Sequence, residues 1–274
     1  MNRDRSLRIE FDQVDRTTDP ADFVRYFDAT RASAFFRDVK ARSYPLLDLH
    51  PGDHVCDRGC GTGDDVLALA RLVAPGGIAT GVDASATMIA EAERRAASAG
   101  IASEFRLMDV QRLDLPDAAF DGVRAERLLQ HVPDADAALG EIVRIAKPGA
   151  RIVIWEGDLD LFVLDALDYE TSRIMQRFIC DGFRHGGIGH ELYRRFKVLG
   201  LAGVESTPLV YALTDLPSID NALDLTANTQ RAVAAGLLDA ERATAWLQSL
   251  HSVAADGRFF GASGGFLTFG RKPH

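Results

Sequence analysis

The chain of 274 residues lacks three features that would assign it to large classes of protein. It has only three cysteines, an odd number that does not make the disulfide framework of a secreted scaffold. No uninterrupted apolar run approaches the roughly 20 residues that a membrane-spanning helix needs. Positive charge is not in excess, because 31 lysines and arginines face 40 aspartates and glutamates, for a net charge of −9. Since such a surface repels polyanions, we expect neither a nucleic acid nor a membrane as a partner.

Two further absences concern metal and export. Cys56 and Cys60 are predicted to lie in a strand and in a glycine loop, with no histidine or cysteine nearby at ligand spacing. We therefore expect no metal site. The first ten residues alternate charges and contain no apolar segment of the kind found in secretory signals, which predicts a cytoplasmic location.

What the chain does contain is a regular alternation of short apolar segments and amphipathic segments after residue 50. Strands are predicted at 54–57, 78–83, 103–108, 120–125 and 151–155. Between them, apolar residues recur at the three- and four-residue steps of helices. Strict alternation with short loops predicts an α/β fold in which a doubly wound parallel sheet carries helices on both faces.

The last third departs from this rhythm. Segments 165–185 and 219–255 are predicted to be mainly helical, with a helix at 192–199 and a strand at 204–213 between them. A final apolar strand is predicted at 265–271. Because helices between late strands commonly cover a pocket at the carboxyl ends of a sheet, we expect a helical cap. The prediction is one domain, 1–274, with an N-terminal helical cover at 1–50, a ligand-binding core at 51–156, the cap and a late strand at 157–264, and a final strand at 265–274.

A glycine-rich segment, 55–65, closes the first predicted strand and opens the first helix. Gly59, Gly61 and Gly63 let the backbone turn sharply and approach a ligand without a Cβ in the way. Their G-x-G-x-G spacing differs from the G-x-G-x-x-G of dinucleotide-binding loops, and no Lys-Ser/Thr pair follows as in a P-loop. The loop therefore predicts a ligand of another kind.

Charge narrows the choice of ligand. Asp64 and Asp65 enter the first helical turn, where the pyrophosphate of a dinucleotide would lie. Two carboxylates there would oppose a diphosphate, whereas Asp57 and Asp64 on either side of the loop suit a positively charged ligand. S-adenosylmethionine (SAM) carries a sulfonium and an ammonium group instead of phosphates, so it matches this loop better.

Two more carboxylates follow the next two predicted strands. Asp83 lies 20 residues past Gly63 and ends the second strand, where a carboxylate can accept hydrogen bonds from both hydroxyls of a ribose. Asp109 follows the third strand, placed to accept from an adenine amino group, while the backbone N–H of Val110 can donate to the ring. Acidic residues at the ends of three consecutive strands predict an adenosine site.

These segments resemble the successive motifs of class I SAM-dependent methyltransferases, especially the small-molecule group typified by ubiquinone and menaquinone biosynthesis. The resemblance covers residues 20–155 and extends to the final strand at 266–271. It implies a Rossmann-like, seven-stranded, mostly parallel sheet with an antiparallel last strand, and SAM as the cofactor. The segments that carry it are 55–65, 81–85, 108–115, 120–133 and 139–155.

The resemblance also implies roles for individual residues of the core. Gly59, Cys60 and Gly61 would surround the methionine part of SAM, and Asp83 would bind the ribose. The remaining implied contacts are Ala84 and Met88 beside the adenine, Asp109 and Val110 at its edge, and Glu126 and Arg127 at the methionine end.

Arg58 departs from the family pattern. The family usually has a small or apolar residue at this position, and strands of a parallel sheet are normally buried on both faces. A buried arginine needs an acidic partner. Three roles stay open: a pair with Glu126, a contact with the carboxylate of the cofactor, or weakened cofactor binding.

Methyl transfer is an in-line displacement at an activated carbon, so the enzyme mainly aligns the acceptor, excludes water and sometimes removes a proton. His131, after the fourth strand, is the candidate catalytic base because histidine titrates near neutrality. The alternative is that His131 caps or packs the next helix. Candidate substrate residues are Gln130, Tyr26 on the N-terminal cover, Glu156 beyond the fifth strand, and His185 beside a glycine hinge.

The sequence thus predicts methyl transfer from SAM to a small apolar or aromatic intermediate of secondary metabolism, by a protein that can form homo-oligomers. Two alternatives remain: a non-methylating cyclisation or rearrangement in the same fold, and a catalytically silent SAM-binding protein. Apolar residues of the cap suggest the acceptor class, although they suit a core equally well. They are Leu161, Phe162, Ile174, Met175, Phe178 and Trp246.

Overall fold

The structure is a computed structural model. It describes residues 11, 14–17 and 19–274, apart from the side chains at 218, 221 and 222. Part of the predicted N-terminal cover lies outside the described residues, and so does the charged segment 1–10 on which the predicted location rests.

The alternation of strands and helices after residue 50 is as predicted. Strand residues are buried in unbroken runs, such as 55–58 in the first strand, because helices cover both faces of the sheet. In chain order the strands are β1 (His54–Arg58), β2 (Ile78–Asp83), β3 (Glu104–Leu107), β4 (Phe120–Glu126), β5 (Ala146–Gly157), β6 (Val163–Leu164), β7 (Ala202–Leu213) and β8 (Gly261–Arg271).

Several helices begin next to a residue whose side chain caps them. The side chain of Ser85 accepts a hydrogen bond from the Met88 N–H, and that of Asp134 accepts one from the Ala137 N–H. In chain order the helices are α1 (Ala21–Ala32), α2 (Ala34–Leu46), α3 (Asp64–Val73), α4 (Ala86–Ala99), α5 (Ala135–Ile145), α6 (Tyr169–Asp181), α7 (Ile188–Val198), α8 (Leu216–Leu223), α9 (Leu225–Ala234) and α10 (Ala240–Ala255). None of the helices in the described ranges has both the length and the apolarity of a membrane span.

The sheet has the predicted topology with one additional strand. Strands β3, β2, β1, β4 and β5 lie side by side in that order and run parallel. β8 follows β5 in the antiparallel direction, and β7 pairs with the other edge of β8. The doubly wound, mostly parallel sheet with an antiparallel last strand is confirmed. The predicted seven strands become eight because β6, a two-residue strand on β8, is too short to produce a periodic pattern.

Side chains of β5 show how the sheet separates two apolar layers. Val153 and Trp155 face the layer beneath α2, α3 and α4, whereas Ile152 and Ile154 face the layer beneath α5 and α7. The carboxyl ends of β1 to β5 therefore meet at one edge, between the two layers of helices. This edge holds the predicted cofactor residues.

The cap has an apolar core of its own. Helices α6, α8, α9 and α10 pack around Phe162, Met175 and Trp246, each at most 1% exposed. These residues were part of the argument for an apolar acceptor, and the structure shows that they pack against one another. The cap residues therefore no longer support that choice of acceptor.

Candidate active site

The glycine loop leaves β1 at the carboxyl edge of the sheet. Gly59 and Gly61 have φ angles of +68° and +50°, a region that favours glycine. A Cβ at Gly59 would lie 2.8 Å from Cδ1 of Leu128, and one at Gly61 would lie 3.0 Å from the ring of Phe27. The loop therefore presents bare backbone between α1 and the loop that follows β4.

Cys60 lies between these two glycines. Its backbone N–H donates to the carbonyl of Val82 at 3.0 Å, which holds the loop against β2. The thiol is buried, and burial raises its pKa above the usual value. At neutral pH, Cys60 is therefore a small packing group beside the loop.

Asp83 ends β2 directly opposite the glycine loop. Its Oδ2 accepts from the Gly61 N–H at 2.8 Å, and its Oδ1 accepts from the Ser85 N–H at 2.9 Å. Each carboxylate oxygen has further lone-pair capacity. The side chain is thus fixed by backbone donors and can still accept two ribose hydroxyls.

Ala84 and Met88, the residues predicted to flank the adenine, lie at the start of α4. Ala84 is exposed, while Met88 is 1% exposed and packs against Val14 and Phe23 of the N-terminal cover. Asp15 of the cover accepts from two backbone N–H groups in the first turn of α4, at 2.7 and 3.1 Å. Sequence reasoning missed Asp15, because nothing in the spacing links it to a helix 70 residues away.

Asp109 and Val110 follow β3, next to Asp83. The Met108 N–H donates to the Asp83 carbonyl at 2.9 Å, which keeps the two strand ends together. Asp109 is exposed, whereas Val110 is 4% exposed. The Val110 N–H makes no hydrogen bond with any described residue, so it remains available to a ligand.

Asp57 and Glu126 meet at a buried arginine. Arg124 on β4, 1% exposed, donates to Asp57 at 3.1 Å and also to Glu126. Burial raises the pKa of Asp57 even though Arg124 opposes that shift. Asp57 is 2% exposed, and one of its carboxylate oxygens accepts from Arg124. Direct cofactor contacts of Asp57 and Glu126 stay predictions.

The two acids at the start of α3 are paired with cations. Asp65 binds Lys40 of α2, and Asp64 lies 3.1 Å from Arg31 and 2.8 Å from Arg95. Because these acids are paired, their charge no longer argues against a diphosphate. The spacing of the glycines is the remaining argument against a dinucleotide. Sequence reasoning missed Lys40 and also Arg124, although a lone cation within the apolar strand β4 is a visible signal of a buried ion pair.

Arg58 does not pair with Glu126, which corrects one of the roles that the sequence left open. Its guanidinium is fully buried on the α5 side of the sheet and donates to the carbonyls of Val110 and Ala138. Glu126 is bound instead by Arg124. Arg124 lies with Asp57 on the face of the sheet opposite to Arg58, because side chains of successive strand residues point to opposite faces.

Arg127 and Tyr26 lie together where the N-terminal cover meets the core. Arg127 has a φ of +50°, which is uncommon for a residue with a side chain and is often found at functional sites. It donates to the Tyr26 hydroxyl at 2.8 Å and lies 4.5 Å from the centre of the Phe36 ring. The structure thus joins a predicted cofactor residue to a predicted substrate residue, and the fixed guanidinium is suited to bind a carboxylate.

Gln130 and His131 lie in the loop between β4 and α5. Gln130 Nε2 is 3.0 Å from His131 Nε2, and the imidazole ring lies 4.8 Å from the ring of Phe11. Burial, together with the charge of Arg127, lowers the pKa of His131 to about 3. The imidazole is therefore neutral at pH 7, its Nε2 accepts from the Gln130 amide, and it is a weaker base than an ordinary histidine.

Glu156 lies beneath that loop. Its Oε1 accepts from the backbone N–H groups of Leu128 and Leu129 at 2.8 and 2.6 Å, and the residue has no exposed surface. Burial raises the pKa of Glu156 to about 8. The second carboxyl oxygen has no hydrogen-bond partner among the described residues. Glu156 thus supports the loop from below, and contact with a substrate stays a prediction.

His185 lies apart from the other predicted site residues. It lines a cleft of about 1190 Å³ between α6 and α7, together with Asp160 and His190. Among the described residues that line this cleft, none belongs to the glycine loop or to the β4–α5 loop. A substrate contact of His185 therefore stays a prediction that the site geometry does not support.

Asp158, Asp160 and His190 each offer a metal-ligating atom within 4.8 Å of the others. The buried Asp158 carboxylate accepts from the Asp160 N–H at 3.1 Å and from both the backbone and ring nitrogens of His190 at 2.7 Å. These bonds join the end of β5 to the start of α7, and they account for the cluster without an ion. The expected absence of a metal stays a prediction.

Comparison of the sequence with known protein families identifies the family to which this site belongs. Residues 49–191 match the model of a methyltransferase domain. The chain belongs to the methyltransferase family. Its cofactor is S-adenosylmethionine.

Two relatives show how far the similarity of this methyltransferase extends. It is 38% identical to an uncharacterized transposon protein of Streptomyces fradiae over 242 residues, which are 88% of this chain and 69% of that protein. It is 33% identical to a demethylmenaquinone methyltransferase of Symbiobacterium thermophilum over 183 residues, 66% of this chain. The chain spans 65% of the length of that enzyme.

Solved structures share the fold at low identity. A protein of Bacillus halodurans, solved as a candidate methyltransferase, has a TM-score of 0.63 and 15% identity, covering 86% of this chain and 100% of its own. The cyclase SpnF has a TM-score of 0.56 and 20% identity, covering 87% and 81%. Geranyl diphosphate C-methyltransferase of Streptomyces coelicolor, solved with S-adenosyl-L-homocysteine, has a TM-score of 0.54 and 17% identity, covering 86% and 79%.

The carboxyl edge of the methyltransferase fits the cofactor. Asp83 has acceptor capacity for two hydroxyls, the Val110 N–H has no partner among the described residues, and the glycine loop offers its backbone without side chains at Gly59 and Gly61. When bound, SAM supplies an electrophilic methyl group on a positively charged sulfur.

Proposed function

We propose that this methyltransferase transfers the methyl group to a small organic acceptor that binds over the carboxyl ends of β4 and β5. The observation that carries the proposal is the contact between two loops: a Cβ at Gly59 would lie 2.8 Å from Leu128. A ligand held by the glycine loop would therefore lie near Leu128, in the same segment that carries Gln130 and His131.

The residues divide into those that hold the cofactor and those that orient the acceptor. Asp83 binds the ribose hydroxyls, and Arg127 binds the methionine carboxylate. Tyr26 fixes Arg127 through their 2.8 Å hydrogen bond and closes the site from the cover. Alignment of the acceptor and exclusion of water then account for most of the rate acceleration, as expected for a displacement at an activated carbon.

His131 acts in this proposal as a hydrogen-bond donor to the acceptor. Its lowered pKa of about 3 keeps the ring neutral, with one nitrogen that accepts and one that donates. Nε2 accepts from the amide of Gln130 at 3.0 Å, which orients the ring and leaves the Nδ1–H to donate. A proton that the acceptor loses passes to water.

We propose an aromatic or apolar acceptor on grounds other than the cap. The name of the Symbiobacterium relative, demethylmenaquinone methyltransferase, supports this class of acceptor.

One observation favours the alternative of a non-methylating cyclisation. A reaction of that kind needs no general base, and His131 is a weak one. A catalytically silent protein is the third possibility, and the same experiment separates all three.

The test is incubation with SAM that carries a deuterated methyl group, in the presence of aromatic and polyketide-like acceptors, followed by mass spectrometry. We expect a product that has gained the labelled methyl group, and S-adenosylhomocysteine in equal amount. An isomerised product without label would establish cyclisation, and binding of SAM without any product would favour the silent protein. Asp83→Ala serves as the inactive control.

A further inference from the structure

Arg58 is a fully buried cation whose partners are backbone carbonyls. Its Nη1 donates to the Ala138 carbonyl at 2.8 Å and its Nη2 to the Val110 carbonyl, while Nε has no partner among the described residues. Among the described residues, the carboxylates of Glu141 and Asp109 attract its charge but form no hydrogen bond with it. Arg58 thus connects β1 with α5 and with the segment that follows β3.

Burial of such a group is unfavourable because the charge loses its hydration. Burial lowers the pKa of Arg58 to about 10, which still leaves it charged at neutral pH. An apolar residue in its place would avoid the desolvation cost but would leave the Val110 carbonyl without this hydrogen bond. Packing alone therefore does not account for an arginine here.

The segment that Arg58 holds is the one proposed to lie at the adenine edge. Gln111 fixes it from the other side, since its Oε1 accepts from the Asp134 N–H at 2.7 Å and its own N–H donates to Asp109 at 2.9 Å. With the Val110 carbonyl bound to Arg58, the Val110 N–H, which has no partner among the described residues, remains available to a ligand. The exposed Asp109 carboxylate accepts from the Gln111 side chain at 3.1 and 3.3 Å and keeps lone pairs for a further donor.

We propose that Arg58 is a positioning residue that holds residues 109–110 in register with the adenine ring and thereby makes the enzyme selective for adenine. The inference rests on the proposed adenine position. Asp109 accepts from the 6-amino group of adenine, and a base with a 6-oxo group would place an oxygen against that carboxylate. Selectivity between the two bases depends on how firmly the segment is held.

The experiment compares S-adenosylhomocysteine with S-inosylhomocysteine, its 6-oxo counterpart, by titration calorimetry. We expect the native enzyme to bind the adenine compound at least about tenfold more tightly, the effect of one hydrogen bond gained or lost. In Arg58→Met, a side chain of similar length without donors, the ratio of the two dissociation constants should fall to roughly threefold or less, mainly through weaker binding of the adenine compound.

Arg144→Met is the matched control. Arg144 also donates to carbonyls of the β3–β4 connection, at Leu113 and Leu115, but beyond the adenine edge. It should lower stability and leave the ratio unchanged. If Arg58→Met does not fold, Gln111→Ala releases the other side of the segment without a change in the sheet, and it should lower the ratio too.

An unchanged ratio in folded Arg58→Met, or in Gln111→Ala when the arginine variant does not fold, would overturn the inference. So would a native enzyme that binds both compounds equally. A native enzyme that binds neither compound would overturn the proposed function as well, so the two failures are distinguishable.

Discussion

Asp83 is the side chain on which cofactor binding depends most. Its carboxylate is held by two backbone donors and lies opposite the glycine loop. Asp83→Ala should weaken SAM binding about 10- to 100-fold, because hydrogen bonds to a charged group contribute roughly 1.5–3 kcal/mol. Titration calorimetry measures this change.

A suitable control is Asp121→Ala, which removes a carboxylate from β4 at the opposite edge of the sheet, where Asp121 binds Lys147 at 2.7 Å. It should leave SAM affinity unchanged. Equal affinities of the Asp83 variant and the native enzyme would mean that the ribose binds elsewhere.

His131 affects turnover and not cofactor binding. His131→Ala should lower kcat roughly tenfold, the contribution of one hydrogen bond of about 1.4 kcal/mol, and leave the SAM dissociation constant within about twofold. Because the pKa of His131 is about 3, the native kcat should show no histidine inflection between pH 5 and 8. Steady-state kinetics across this range checks both points, and an inflection near pH 6.5 that disappears in the variant would contradict the assigned role.

The positions of Asp83 and Gly59 at the carboxyl edge of the sheet could be predicted from the sequence because both residues lie next to strand ends, where spacing along the chain fixes position in space. Arg58 and Arg124 could not. Their partners, Val110 and Asp57 among them, come from segments distant in the sequence, and the face to which each guanidinium points depends on the register of the sheet.

At the scale of elements, the β4–α5 loop depends on Glu156 beneath it. Burial raises the pKa of Glu156 from an ordinary 4.5 to about 8. The folded protein therefore keeps a proton that the unfolded chain releases between these values, so stability falls as pH rises through this window. Glu156→Gln should remove a slope of up to about 1.4 kcal/mol per pH unit between pH 6 and 8.

Urea midpoints at several pH values measure that slope. Glu141→Gln is the control, because Arg144 holds the pKa of Glu141 at about 2, so this group does not titrate in the window. Parallel pH dependence in the native protein and the Glu156 variant would show that Glu156 is ionised in the fold.

Boundaries of elements were harder to predict than their existence. The final strand was expected at 265–271 and begins at Gly261, because its first residues pair with β7 despite four glycines in the strand. The helical stretch 219–255 is divided among α8, α9 and α10, which pack around the cap core. Both features depend on contacts distant in sequence, which periodicity does not contain.

At the scale of the molecule, we propose that the chain is one domain although the cap has a core of its own. If so, the cap and the sheet unfold together. The two tryptophans of the sequence report on the two parts, since Trp155 lies in the sheet and Trp246 in the cap. In Trp155→Phe and in Trp246→Phe, the fluorescence midpoint in urea should coincide with the midpoint from circular dichroism of the same variant. Non-coincident midpoints in either variant would mean that the cap unfolds on its own.

A cytoplasmic location, the absence of a nucleic-acid partner and the oligomeric state stay predictions of the sequence. The family and the cofactor follow from the carboxyl edge of the sheet and the matched domain, residues 49–191. The acceptor depends on loops and on the cover, which vary more freely than the sheet that positions them.

The most direct measurement is a crystal structure of the enzyme with S-adenosylhomocysteine. The ribose hydroxyls should lie within hydrogen-bond distance of Asp83, with the adenine beside Val110 and the sulfur facing Gln130 and His131. Density for the ligand in the cleft lined by His185, with Asp83 uncontacted, would contradict the site described for this methyltransferase.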